Sequence, residues 1–188
     1  MGTLQVGGTT LATKNVSTGK VDLSANYRPP VGGVIRTLTF ETSNGSSNDN
    51  DEFIPLDGSN TSIQIADYTK GNKLIIWTSM HYKIREGNSY SFELKSYYQT
   101  SSSSGAGTPS TSSPWILHNG YLAGFDTIIA TSQNTEDSTT LLDVLTVSGS
   151  GTTHIDYAIY VDKTSESSNQ VNDIQDQKRI TIIQEIQG

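Results

Sequence analysis

Three histidines, His81, His118 and His154, are the side chains with which this chain could most readily bind a metal or move a proton. None stands in an H-x-x-x-H or H-E-x-x-H spacing, which would place two ligands on one helix face. A polar place on the outside of a strand is the expected role of each. Cysteine is absent, which removes thiolate nucleophiles, Cys-ligated zinc and disulfides. Ser148-Gly149-Ser150-Gly151 reads as a turn, not as a G-x-S-x-G elbow. Gly105-Ala106-Gly107 lacks the lysine and the following helix of a phosphate loop. A glycoside hydrolase needs paired carboxylates facing one cleft, and the scattered acids give that reading no support. The expectation is a protein that is not an enzyme and holds no cofactor.

Two other groups could bind rather than react. Asp49, Asp51 and Glu52, with Asp57-Gly58 nearby, could offer oxygen ligands to Ca²⁺, but their spacing is not an EF-hand. Solvated acids in a loop explain them as well, so they stand only as a weak calcium candidate. Tyr97, Tyr98, Trp115 and Tyr121 flank the Ser/Gly-rich stretch 100–114. Such rings could stack on the apolar face of a sugar in a glycan or receptor. Equally they could fill a sandwich or a subunit contact.

The composition narrows the partners. Twelve Lys+Arg against nineteen Asp+Glu give a net charge of −7, which opposes binding to a phosphate backbone, so no nucleic acid is expected. No run approaches the ~20 apolar residues of a membrane span, and the sequence after Met1 has no apolar signal core. A soluble protein without membrane insertion is expected, and the Asn-x-Ser/Thr triplets at Asn15, Asn44 and Asn60 then carry no glycosylation meaning.

The elements that must position these residues are strands. Residues 1–33 hold isolated apolar residues among Gly, Thr and Ser, closed by Pro29-Pro30 and Gly32-Gly33. They read as an N-terminal arm or stem, or as a disordered leader. From residue 34 to 188, β-branched and aromatic runs alternate with polar loops, predicting an all-β antiparallel sandwich or jelly roll of about nine strands. A turn at Glu86-Gly87-Asn88 predicts a hairpin between 73–85 and 89–99, and a helix is conceivable only near 165–176. The strand 89–99 alternates cleanly, with Tyr90, Phe92 and Leu94 opposite Ser91, Glu93 and Lys95.

Three other strands are apolar on both faces. Ile75 and Trp77 oppose Leu74, Ile76, Met80 and Tyr82; Ala158 and Tyr160 oppose Tyr157, Ile159 and Val161; Ile183 opposes Ile180, Ile182 and Ile186. A strand in a two-layer sandwich should have one wet side, and no amphipathic helix is at hand to cover the other. Another copy of the chain is the expected cover, with Ile75, Trp77, Tyr160, Ile183 and Glu185 at the contact.

The segment from about Val34 to Gln187 resembles the trimeric jelly-roll knobs of the tumour-necrosis-factor and complement-C1q type, above all those on bacteriophage and other viral surface fibres. "TSIQIADYTKGNKLIIWTSM" is similar to the stretch in which a short strand, a turn and a polar linker precede a hydrophobic strand. "HIDYAIYVDK" and "RITIIQEIQG" are similar to the closing pair, an aromatic strand and an isoleucine-rich one with a glutamate near its end, here Glu185. Asp67-Tyr68 stands where the family usually has proline. The resemblance implies a homotrimer whose last strand lies near a threefold axis. It implies a virion-surface protein, a capsid decoration, head fibre or short tail fibre. Residues 1–33 would attach it to other virion proteins, and the knob would contact a host glycan or protein. The alternatives are a secreted adhesion or signalling ligand of the same fold, which should carry a secretory signal, and a polysaccharide-acting enzyme.

Overall fold

Isoleucine, valine, threonine and tyrosine favour a pleated, half-buried backbone, and the runs rich in them pair as antiparallel strands. The computed structural model describes residues 31–43, 53–80, 94–118, 138–162 and 179–188 in full, and the strand backbone alone at further positions. Strands β1 (Gly2–Val6), β2 (Thr9–Lys14) and β3 (Val21–Leu23) form a small meander of their own. The sandwich begins with β4 (Val34–Thr42), followed by the two-residue strands β5 (Ser46–Ser47) and β6 (Glu52–Phe53). Then come β7 (Ser62–Thr69), β8 (Lys73–Ile84), β9 (Tyr90–Ser101), β10 (Ile116–Leu117) and β11 (Ile128–Ala130). The chain continues with β12 (Thr135–Leu145), β13 (Thr152–Lys163), β14 (Asp173–Ile174) and β15 (Arg179–Ile186).

Two antiparallel four-stranded sheets result. One has the order β12-β8-β15-β4; the other runs β7-β13-β9-β11, with β6 and β10 extending its edges. Long strands next to one another in sequence mostly belong to opposite sheets, which is the winding of a jelly roll. This corrects the hairpin expected across residues 85–89. β8 already pairs with β12 on one edge and β15 on the other, so no edge is left for β9, which pairs with β13 instead. Most of the helix expected near 165–176 lies outside the described residues, but Asp173–Ile174 pair with Ser46–Ser47 as strand.

Between the sheets lies a core built from Ile54, Leu56, Ile63, Ile65, Leu74, Ile76, Met80, Leu94, Leu141, Leu145, Ile155, Ile159 and Ile183, with Tyr68 and Tyr157 fully buried among them. Where the family resemblance expected proline, Asp67 takes a positive φ of 52° in a bulge of β7 against β13. The bulge shifts the alternation by one residue and so turns Tyr68 inward. Its hydroxyl then donates to the carbonyl of Asn72 and accepts from the amide of Val147, tying together two turns at one end of the sandwich.

The second sheet has a cover on its outer face, and it comes from the same chain. The Ser/Gly-rich segment 102–115 lies across β7, β13 and β9. Trp115, 6% exposed, closes a cluster with Tyr97, Ala158, Phe53 and Tyr160. Phe53 stands edge-on to Tyr160 at 4.9 Å and to Tyr97 at 5.6 Å between ring centres. Two-sided burial of β13 is therefore met within one molecule.

Candidate functional site

The first sheet is different. Its residues alternate in register, so one row from each strand faces away from the core. Across the sheet these rows read Leu142, Trp77, Ile182 and Thr39 at one level, and Val144, Ile75, Gln184 and Thr37 at the next. Ile180, Ile186 and Ile35 extend the apolar area along β15 and β4. Val144 is 45% exposed, Ile35 38% and Ile182 37%, while Ile75, Trp77 and Leu142 are half-buried. Threonines, Ser79, Lys73 and Glu41 rim the patch. An apolar centre with a polar margin is the anatomy of a protein–protein contact, and among the described residues no side chain packs over it.

The phase of β15 is the reverse of the one expected. Ile183 faces the protein's own core at 1% exposure, and Glu185, at 2%, points the same way. The isoleucines Ile180, Ile182 and Ile186 occupy the outward row instead. The inward row of β15 is mostly polar, and every polar member finds a partner, which is what makes its burial tolerable. Arg179 donates to the carbonyl of Pro55 at 2.9 Å, and Thr181 shares a hydroxyl contact of 3.0 Å with Thr78. Glu185 accepts from Arg36 Nε at 2.7 Å, from Asn72 Nδ2 at 2.6 Å and from the amide of Thr69 at 3.1 Å.

The five residues expected at one contact therefore do not share a surface. Ile75 and Trp77 lie on the open face, Ile183 and Glu185 lie behind it, and Tyr160 is under the cover of the opposite sheet. The four rings suggested for a sugar are also divided. Tyr97 and Trp115 pack into the covered cluster, Tyr98 turns to the core side of β9, and Tyr121 lies outside the described residues. Asp49, Asp51 and the side chain of Glu52 lie outside them too. Among the described residues no three His, Asp or Glu side chains converge as a metal site.

One polar cluster escaped sequence reasoning altogether. Asp143, on the inward row of β12, accepts from Tyr157 Oη at 3.1 Å and meets His118 Nδ1 at 2.9 Å. Burial pushes the Asp143 carboxyl up, but hydrogen bonds from His118, Ser96 and Tyr157 and the charge of His118 outweigh it, so its pKa is lowered. The hydrogen bond to Asp143 raises that of His118 against the opposing effect of burial. Burial, with the nearby Asp143 charge, holds the Tyr157 phenol well above its ordinary value. His154 serves the bulge, its Nδ1 accepting from the amide of Asp67 at 3.2 Å.

No protein-family model matches the chain, and no characterised protein matches it in sequence. Among solved structures it is similar to a chain of infectious bursal disease virus Gx strain, at 12% identity over 90% of this chain and 38% of that one, with a TM-score of 0.36. It is also similar to a chain of the Gt strain, at 10% identity over 94% of this chain and 42% of that one, with a TM-score of 0.36. The chain thus spans about two fifths of the length of either.

Proposed function

We propose that this protein is a virion-surface structural protein. Its sandwich is a homotrimeric knob of the tumour-necrosis-factor/C1q type, and residues 1–33 attach it to other virion proteins as a capsid decoration, head fibre or short tail fibre. The observation that carries the proposal is the open apolar face of the sheet β12-β8-β15-β4. Burying a large aliphatic or aromatic side chain contributes about 1.5–3 kcal/mol, so a face with Ile35, Val144 and Ile182 exposed around a half-buried Trp77 is a strong incentive to associate. The occupant is two further copies of the chain. Closed rings of identical subunits are the usual way for one chain to cover such a face, and the threefold closure follows the family resemblance. Display on a particle then converts weak contacts with a host surface into avidity.

Two measurements test this. Light scattering should give about three times the 20.3 kDa chain mass; a monomer at micromolar concentration would overturn the assembly. Antibody-labelled particles viewed by negative stain should carry label on head or tail; particles bare at both sites would overturn the virion assignment while leaving the trimer standing.

A further inference from the structure

On the layer away from the open face, two loops flank a small, half-open cleft with a volume of about 170 Å³. One wall is the turn that leads into β7, with Ser59, Asn60 and Thr61; the other is the covering segment, with Ala106, Thr108 and Pro109. We propose that this cleft is a binding site for a single neutral sugar ring, the terminal residue of a surface glycan. The inference deepens the host-contact part of the function proposed above and rests on it for its setting.

The walls are fixed before any ligand arrives. Asp156, almost wholly buried on the outer side of β13, gathers the covering segment onto the sheet. It accepts from Gln64 Nε2 and Gln99 Nε2, both at 2.8 Å, and from the amide of Gly107 at 3.3 Å. Gln64 also clasps Gly105, donating to its carbonyl at 3.0 Å and accepting from its amide at 2.8 Å. Ser62 Oγ donates to the carbonyl of Gly107, joining the two walls. The segment lies so close that a Cβ at Gly107 would stand 2.5 Å from Gln99 Nε2. On the other side, Gly58 at φ 53° and the Asp57–Asn60 bridge set the turn. Preorganised walls spare a ligand the cost of ordering them.

The lining then selects the ligand's chemistry. It carries no charged side chain, so neither a phosphate nor a metal ion finds a counter-charge. Ser59, Asn60, Thr61 and Thr108 keep their hydroxyl and amide groups free of intramolecular bonds among the described residues. They can both donate and accept, which is what sugar hydroxyls require. Ala106 and Pro109 give a small apolar flank for the C–H face of the ring. The cleft has room for several waters, whose hydrogen bonds the hydroxyls of a sugar ring could take over. Because β7, β13 and the covering segment belong to the second layer, the cleft stays open when the first sheet is covered.

Saturation-transfer NMR on the whole protein, with glucose, galactose, mannose and N-acetylglucosamine as probes and N-acetylneuraminic acid as the charged comparison, tests the site. Transfer to the ring protons of at least one neutral sugar is expected. Loss of one neutral hydrogen bond in Asn60→Ala or Thr108→Val should weaken binding about three- to tenfold. Leu117→Ala, beside the aromatic cluster, should leave it unchanged. No transfer to any neutral sugar, transfer only to the acid, or transfer indifferent to both cleft variants would overturn the proposal. These outcomes are independent of subunit number, so a monomer that binds sugar would sink the trimer alone, and a trimer that binds none would sink the cleft alone.

Discussion

Asp143 is the one carboxylate described between the sheets that reaches a histidine, and its surroundings fix a pH window. His118 has a raised folded pKa, so its contribution is complete below its ordinary value of 6.5 and fades as pH rises through the raised one. Asp143 has a lowered pKa, so its contribution holds above 3.8 and is lost only as pH falls through the lowered value. Asp143, Tyr157 and the ring of Tyr98 are the titratable groups described around His118. The pair should therefore stabilise most between these two limits. Thermal melts of wild type and His118→Ala should differ by about 1–2 kcal/mol, a few degrees, near pH 5.5. The difference should shrink steadily above neutrality; a constant gap from pH 5 to 9 would show that His118 acts by packing alone. At the other end, Glu185→Gln leaves Arg36 without its ion partner and should cost about 2–4 kcal/mol in urea unfolding. An unchanged midpoint would mean that the three donors around Glu185 are indifferent to its charge.

At the scale of the element, β15 should separate folding from the assembly proposed above. Ile182→Asp changes the outward row and should give a folded chain of monomer mass. Ile183→Asp puts a charge into the core and should abolish folding, with a cost well above 4 kcal/mol. A folded Ile183→Asp monomer would restore the opposite phase. The sequence made the two-sided character of β8, β13 and β15 legible, and also the sandwich that holds them. It could not reveal which row of β15 faces in, because that depends on partners brought from afar. Thr78 and Arg36 come from neighbouring strands; Thr69 ends β7 in the opposite sheet, and Pro55 and Asn72 come from connecting segments. A polar row looks like a solvent row until those partners are in place. In the same way, segment 102–115 reads as linker because its anchors, Asp156, Gln64 and Gln99, stand on three other strands. The hairpin expected between β8 and β9 failed because a turn signal fixes only a reversal of direction, not whether the chain also changes sheet.

For the whole molecule, the two layers divide the labour. One outer face is closed by the chain's own loop and carries the cleft proposed for a sugar; the other is open and apolar, the face proposed for contact with further copies. The division makes the two activities separable by mutation. Ile182→Asp should lower the mass measured by light scattering to that of one chain and leave saturation transfer per chain intact. Binding to a multivalent glycan surface should then fall by at least about a hundredfold, the usual scale of lost avidity. Equal surface binding by monomer and trimer would show that copies on one particle do not cooperate.

Among the described residues β4 is an edge strand, paired with β15, and the chain enters it at Val34. A pull on residues 1–33 away from the sheet reaches that edge at its first rung, where bonds part singly and not as a block. Two backbone bonds stand in the way, Gly32 to the carbonyl of Gln187 at 2.8 Å and Gln187 to that of Gly33 at 2.9 Å. The Arg36–Glu185 pair comes next. If residues 1–33 are the tether proposed above, a drag force on the particle would test these contacts at one corner, and the β4–β15 ladder behind them, before it tests anything in the core.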